Sequence, residues 1–417
     1  MADDLLVTNI KEIDFILKNI NWSFYPKPHV DAARTQLFNI RKYHWFPATF
    51  VPEIPYTLIE LLTKPNASIF DPFLGIGTTY FQALLLNRIP YGADVCKIAT
   101  DIALSALTLF DPSFDVLKII NIISSQIDKY SRKTNYSKLI MNKSDNKYVD
   151  DLKEWYTKDT FNLLCFLILL TMDTKEQHVK SALRISVSSI LSTISNQDRG
   201  WGCIADNVLP KSYQRRKVDV IKILKTKLHS LLRDIDQLKR HFDHNTISIY
   251  RSIIEKQTIY HSDIIGFEEI PAEAVDLVLT SPPYPNMVDY VTSQRLSYYC
   301  FGYDSSEDKK QEIGARSKRF NVHCLDNYKD KMFGANKIIS RVLKKGGLLC
   351  YIMPIFDSKN ENNYERKSII QRIIAQLEEL NLTKETELER SMPSLRRSHN
   401  AKWATLQKEA IYIYRKL

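Results

Sequence analysis

Ile69-Phe70-Asp71-Pro72-Phe73-Leu74-Gly75-Ile76-Gly77-Thr78-Thr79 decides how this chain folds. A short apolar run ends at an acid and a proline, and two closely spaced glycines lead into a helix-like run from Tyr80 to Asn87. Proline has no N–H to give a sheet ladder, so a strand stops at Asp71. Gly75 and Gly77 let the backbone bend tightly and approach a ligand closely. Strand, glycine turn and helix in that order open a nucleotide-binding βα unit. A second short strand, Pro90 to Ala93, ends at Asp94. That is close to the roughly 20-residue spacing at which such units set an acid against a ribose hydroxyl.

A second anchor lies far downstream. The apolar strand Val275-Asp276-Leu277-Val278-Leu279 runs into Thr280-Ser281-Pro282-Pro283-Tyr284. Neither proline can continue the ladder, so the strand ends in a stiff turn with a hydroxyl before it and an aromatic ring after it. Such a turn suits holding a planar ring by its face while acceptors grip an amino group on its edge.

This segment resembles the catalytic motif of amino-group DNA methyltransferases, which modify the exocyclic nitrogen of cytosine or adenine. The Ser-Pro-Pro-Tyr form is most similar to the cytosine-N4 branch; adenine enzymes usually carry Asp or Asn where Ser281 stands. The string Asp-Pro-Phe-x-Gly-x-Gly-Thr-Thr carries the same resemblance, which implies S-adenosyl-L-methionine as cofactor. Asp71, Pro72, Phe73, Gly75, Gly77, Thr78 and Asp94 then belong to its site. Residues 43–59 resemble the segment that wraps the methionine end of the cofactor, with His44 and Phe50 as candidates. His261-Ser262-Asp263 ends a strand, and Asp263 resembles the acid that contacts the cofactor's adenine amino group. Val288-Asp289-Tyr290 and Arg295-Leu296 resemble the helix after the catalytic turn. Asp289 either tunes the amino group or starts that helix; Arg295 either pairs with Asp289 or touches a phosphate. Leu343 to Gly347 reads as a helix end with a glycine stop, then a strand to Met353. Ala410 to Arg415 reads as the last strand. Lys97, where the family often has proline, and Leu74 and Ile76, where small residues are usual, are the departures.

The resemblance implies a Rossmann-like α/β methyltransferase fold with a mostly parallel central sheet, interrupted by a large helical insertion. The expected division is 1–110 with the cofactor motifs, 111–255 as the insertion, and 256–417 with the catalytic motif. The chemistry is then methyl transfer to a cytosine N4 in DNA. Ser281 Oγ and the Pro282 carbonyl hold the amino hydrogens out of conjugation, Pro283 stiffens the turn, and Tyr284 stacks on the base. A base within a duplex cannot reach the turn, so double-stranded DNA must present it flipped out. None of the six cysteines follows a proline, so the Pro-Cys nucleophile of ring-carbon cytosine methyltransferases is missing. Adenine-N6 methylation is the second reading, an RNA base-amine methyltransferase the third, and a non-catalytic cofactor- or DNA-binding module the rival of another class.

Bulk properties agree with a polyanionic partner. The 417 residues carry a net charge of +10 and the pI is near 9.0. Lysines and arginines crowd residues 309–345, with Arg316 and Arg319 as candidate phosphate contacts; the alternative is a solvated face. Between Asp94 and Asp263 lies far more chain than one crossover helix needs. Its positions Val218, Ile221, Leu224, Leu228, Leu231, Ile235, Leu238 and Phe242 form one helical seam, for internal packing or for a coiled-coil partner. In the enzymes that the chain resembles, a variable region between the cofactor motifs and the catalytic motif reads the target sequence, and the resemblance implies that role for this insertion. Trp201, between Gly200 and Gly202, with Arg215 and Arg216 nearby, is either a base-stacking loop or a turn anchored by a buried tryptophan. Arg390 to Trp403, with Arg396, Arg397 and His399, is either a second contact surface or an ordinary basic hairpin.

The cysteine spacing suits free thiols in a reducing compartment and no metal site. The apolar run Phe161–Met172 is shorter than the roughly 20 residues that cross a bilayer. With the acidic, signal-free N-terminus, this points to a cytoplasmic protein with no membrane association. The sequence leaves open a monomer or a dimer, and whether a cognate endonuclease or other defence-system partner exists.

Overall fold

A computed structural model describes residues 10–24, 37–49, 51–143, 146–197, 209–210, 218–357, 361–392, 406 and 408–417. Phe50, Trp201, Arg215, Arg216, Arg396 and Arg397 lie outside the described residues. At its centre is a seven-stranded sheet: β1 Ser68–Asp71, β2 Ile89–Asp94, β3 Ile259–His261, β4 Val275–Thr280, β5 Leu343–Ile355, β6 Leu382–Ser391 and β7 Lys408–Lys416. Its order is β3-β2-β1-β4-β5-β7-β6. The first five strands in that order pair in parallel; β7 enters antiparallel between β5 and β6.

Both sheet faces are covered, which is why β4 is buried at all six positions. Side chains alternate between the faces along each strand. Phe70, Val278, Leu349 and Tyr351 pack with residues 324–342 and 369–377, while Ile69, Leu277, Leu279, Leu348 and Cys350 pack with Ile54, Leu58 and Ile59. The helices used below are α1 Thr78–Leu85, α2 Lys97–Leu109, α3 Gln177–Ile194, α4 Val220–Lys239, α5 Arg295–Phe301 and α6 Cys324–Val342.

The expected glycine stop at Leu343–Gly347 is instead part of β5. Helix α6 ends at Val342 on an extended Leu343, where the strand already begins. Val275 pairs with Leu343 but Leu277 pairs with Leu348, so the extra residues bulge out and Gly346 takes φ 76°. A Cβ on Gly347 would lie 2.7 Å from the Lys344 carbonyl oxygen. These glycines are spent on the bulge, a role that a glycine after a helical pattern does not announce.

Between Val116 and Lys256 the described residues form helices and the turns that join them, from Val116–Ile127 through His244–Lys256. Helix α4 buries Leu224, Leu228, Leu231, Ile235 and Leu238, the predicted seam, inside one core shared with Phe81 and Leu84 of α1 and Ile98 and Ile102 of α2. The seam therefore packs internally. The helix Lys158–Asp173 contains Phe161–Met172 and is largely buried in that core. Among the described residues no helix is long and apolar enough to cross a membrane.

Candidate active site

Strand order brings the two sequence anchors together. Chain connections leave β1 and β4 toward opposite edges of the sheet, so their C-terminal ends flank a crevice. In open parallel sheets ligands bind at such a switch point. Asp71 ends β1 and Thr280 ends β4; the Thr280 hydroxyl donates to Asp71 Oδ1 at 2.6 Å. Asp71 Oδ1 also accepts from the Phe73 amide at 3.1 Å, which turns the chain over the strand end. Burial pushes the Asp71 carboxyl up to about 6, although those hydrogen bonds favour its charged form.

The glycine loop is held by Asp94. Its Oδ2 accepts from the Gly75 amide at 2.7 Å and its Oδ1 from the Cys96 amide at 2.8 Å. Burial pushes Asp94 up to about 6 against the pull of these two amides. Gly77 takes φ 94° as it enters α1, and a Cβ there would lie 3.0 Å from the Phe81 ring. Gly92 lets Leu74 lie against β2, since a Cβ at that position would fall 2.5 Å from Leu74 Cδ1. Leu74, a departure from the family pattern, thus fills space left by a glycine of the next strand.

Over these strand ends opens a cavity with about 770 Å3 of empty space, part of it open to solvent. After β1 it is lined by Pro72, Phe73, Leu74, Gly75 and Thr78; after β2 by Asp94 and Val95; after β3 by Ser262, Asp263 and Ile264; after β4 by Ser281 and Pro283. Phe46 to Thr49 close one side, and Tyr290 with Gln311, Glu312 and Ile313 another. Phe46 and Tyr290 stack with centroids 5.9 Å apart.

Five of the described catalytic and cofactor candidates do not line the cavity: Asp71, Gly77, Pro282, His44 and Tyr284. Asp71 and Gly77 lie behind it and shape the loop. Pro282 is buried. His44 is buried with its Nε2 2.7 Å from Ser188 Oγ on α3, and burial lowers its pKa to about 3, so it is neutral. The segment around His44 still reaches the site, through Phe46 to Thr49. Asp263 lines the cavity, and its Oδ1 accepts from the Ile265 amide at 3.0 Å.

The turn after β4 is anchored from below. Tyr284 does not line the cavity either: its ring lies in the core with Tyr328 and Ile313. Its hydroxyl donates to Glu409 Oε1 at 2.6 Å and accepts from Ser281 Oγ at 3.3 Å. Glu409 Oε2 lies 3.0 Å from Nε of Arg390, whose side chain is fully buried. Arg390 therefore belongs to the interior, not to the basic surface expected from Arg390 onward. Tyr328 also donates to the Pro283 carbonyl at 2.9 Å. Only Ser281 and Pro283 of the turn face the cavity, on a base fixed by a buried carboxylate and guanidinium.

Val288-Asp289-Tyr290 precede the helix rather than form it. Val288 bridges to Ala315, and α5 starts at Arg295. Asp289 accepts from the Ser317 amide at 2.7 Å and makes no ion pair with Arg295. Glu312, one of the few acids within the basic run 309–345, accepts from the Tyr290 amide at 2.5 Å. Burial pushes its carboxyl up to about 8, which favours the protonated form at neutral pH. The Lys97 amide donates to Asp308 Oδ2 at 2.9 Å, a bond that proline at this position could not make. Arg316 and Arg319 are exposed on the short 3-10 helix Arg316–Phe320. Among the described residues the cysteines are free thiols, and no cluster of metal-ligand residues occurs.

Residues 12–105, which include the glycine loop and Asp94, match the N6_N4_Mtase family model, described as DNA methylase. The chain is similar to the type II methyltransferase M.MvaI of Kocuria varians, 25% identical over 250 residues that cover 58% of this chain and 52% of that one. It is also similar to the type II methyltransferase M.BglII of Bacillus subtilis, 38% identical over 74 residues, 17% of this chain and 21% of that one. It thus spans about half the length of the first relative and a fifth of the second. A possible exported protein from Bordetella parapertussis, known from its crystal structure, is 12% identical with a TM-score of 0.19, covering 42% of this chain and 51% of that one. A score that low carries no argument about the fold. The sequence matches support an amino-methyltransferase.

Proposed function

We propose that this protein is a DNA methyltransferase that moves a methyl group from S-adenosylmethionine to an exocyclic amine, the N4 of cytosine. One observation carries the reading: the glycine loop after β1 and the Ser-Pro-Pro-Tyr turn after β4 line a single cavity. The crossing pattern β3-β2-β1-β4-β5 agrees with a doubly wound, Rossmann-like nucleotide-binding sheet.

The residues present fit the cofactor. Asp94 stands where an acid meets ribose hydroxyls, and Asp263 and Ile264 suit the adenine end. The small, positively twisted Gly75 admits a close approach. When bound, S-adenosylmethionine supplies a methyl group on a sulfonium. Ser281 Oγ accepts from the target amine and so frees its lone pair from the ring. Pro283 and Tyr290 offer surfaces to a planar base. A protonated Glu312 would offer a donor to an unprotonated ring nitrogen next to an amine, a pattern that cytosine and adenine share and thymine lacks. Serine at position 281, where adenine enzymes usually carry Asp or Asn, favours cytosine. Adenine-N6 methylation remains the second reading, because the cavity pattern alone does not separate the two.

The test is transfer of labelled methyl from the cofactor to unmethylated DNA and, separately, to RNA. Label in DNA alone supports the reading. Label in RNA alone, or cofactor binding with no label in either, overturns it.

A further inference from the structure

We propose that Phe320 is the wedge this protein pushes into the base stack of a duplex, filling the place of the base drawn into the cavity. The inference rests on the proposed reading of that cavity as a site for a flipped base. Phe320 is 81% exposed and Val322 is 88% exposed, the two highest values among the exposed large hydrophobic residues described. Scattered apolar residues on a surface need no explanation, but this pair sits within a cationic segment. Arg316, Lys318 and Arg319 are all exposed around it, and the Arg319 guanidinium lies 4.4 Å from the centroid of the Phe320 ring. Apolar side chains among cations match a polyanion whose interior is a stack of flat rings.

The segment is also fixed to the site. The Arg316 amide donates to the Val288 carbonyl at 3.1 Å, and the Ser317 amide donates to Asp289 Oδ1 at 2.7 Å. Lys318 Nζ donates to the Glu312 carbonyl at 3.0 Å. Phe320 is thereby carried by the same backbone that leads from the Ser-Pro-Pro-Tyr turn to the cavity wall at Tyr290 and Glu312. A protein partner would be served as well by apolar residues without cations; the surrounding charge selects the nucleic acid. Base extrusion leaves a gap in the stack that an inserted side chain holds open.

Phe320→Ala removes the ring from an exposed position, where replacement leaves folding intact. Single-turnover methylation by the full chain would be measured on two duplexes that carry the sequence methylated by the wild type. One is fully paired; in the other the target base faces an abasic site and is already loosened. The variant should be slower on the paired duplex by about tenfold or more, and within about threefold of wild type on the loosened one. Phe320→Leu, which keeps apolar bulk, should recover most of the paired-duplex rate. An unchanged rate on the paired duplex, or the same loss on both duplexes, overturns the wedge. These outcomes are read against a wild-type chain that methylates both duplexes; a wild type that methylates no nucleic acid removes the underlying reading instead.

Discussion

Glu409→Ala tests the architecture beneath the Ser-Pro-Pro-Tyr turn. Glu409 is buried, accepts from the Tyr284 hydroxyl at 2.6 Å and faces Arg390 as a charge pair, Nε at 3.0 Å without a hydrogen bond. Removing it leaves the fully buried Arg390 side chain without its counter-charge. Breaking a buried pair from one side costs about 3–5 kcal/mol. Tyr284→Phe is the milder cut. It removes the hydrogen bond to a charged acceptor, about 1.5–3 kcal/mol, and the longer one from Ser281 Oγ, while Glu409 keeps its guanidinium. Glu409→Gln falls between them, because the amide oxygen still accepts from Tyr284 but no longer balances Arg390. Urea unfolding followed by circular dichroism gives the order, read from midpoints at unchanged slope. The expected ranking of costs is Glu409→Ala, then Glu409→Gln, then Tyr284→Phe. A Glu409→Ala variant within about 1 kcal/mol of wild type would mean that Arg390 finds other compensation, and the anchoring argument would fail.

Other expectations bear on the loop, the cofactor and the titrating groups. Gly77→Ala forces a side chain into φ 94° and against the Phe81 ring, at a cost of about 1–3 kcal/mol, measurable in the same unfolding series. Asp94→Ala should weaken cofactor binding by calorimetry by about tenfold or more, since it removes both the acid and the acceptor that holds the Gly75 amide. Unchanged affinity would remove Asp94 from the cofactor site. Glu312 holds its proton in the folded state at pH values where an ordinary carboxyl near 4.5 has released it. Its contribution to stability is therefore complete below about pH 4.5 and is lost as pH rises through about 8. Glu312→Gln cannot titrate, so between about pH 6 and 8 the variant should gain on the wild type by about 1 kcal/mol per pH unit. Parallel pH profiles would show that Glu312 is not desolvated as described.

The sequence shows some parts of this molecule and hides others for physical reasons. The ends of β1, β2 and β4 are legible because proline, glycine and aspartate break an apolar run where the chain must turn. The α4 seam is legible because buried positions recur at helical spacing. What that seam packs against is not, since periodicity names a face and never its partner; the face turned out to join the core under α1 and α2. Glu409 and Arg390 are invisible for another reason. They meet Tyr284 only through the antiparallel pairing of β7 with β6, in which Arg390 lies opposite Glu409, far along the chain from the turn they support. An acid and an arginine in an alternating strand look like a solvated edge. The motif shows Tyr284 as an aromatic beside the turn, but not which way its ring faces; the structure puts it in the core and gives the cavity wall to Tyr290. Glu312 carries no local signal at all, because its raised pKa comes from burial that only the folded chain produces.

The most direct test is the identity of the modified nucleoside. DNA incubated with the protein and isotopically labelled S-adenosylmethionine would be digested to nucleosides and resolved by mass spectrometry. The account predicts that the label is found in N4-methylcytosine. Label in N6-methyladenine would contradict the role given to Ser281, and label in 5-methylcytosine would contradict amine transfer altogether.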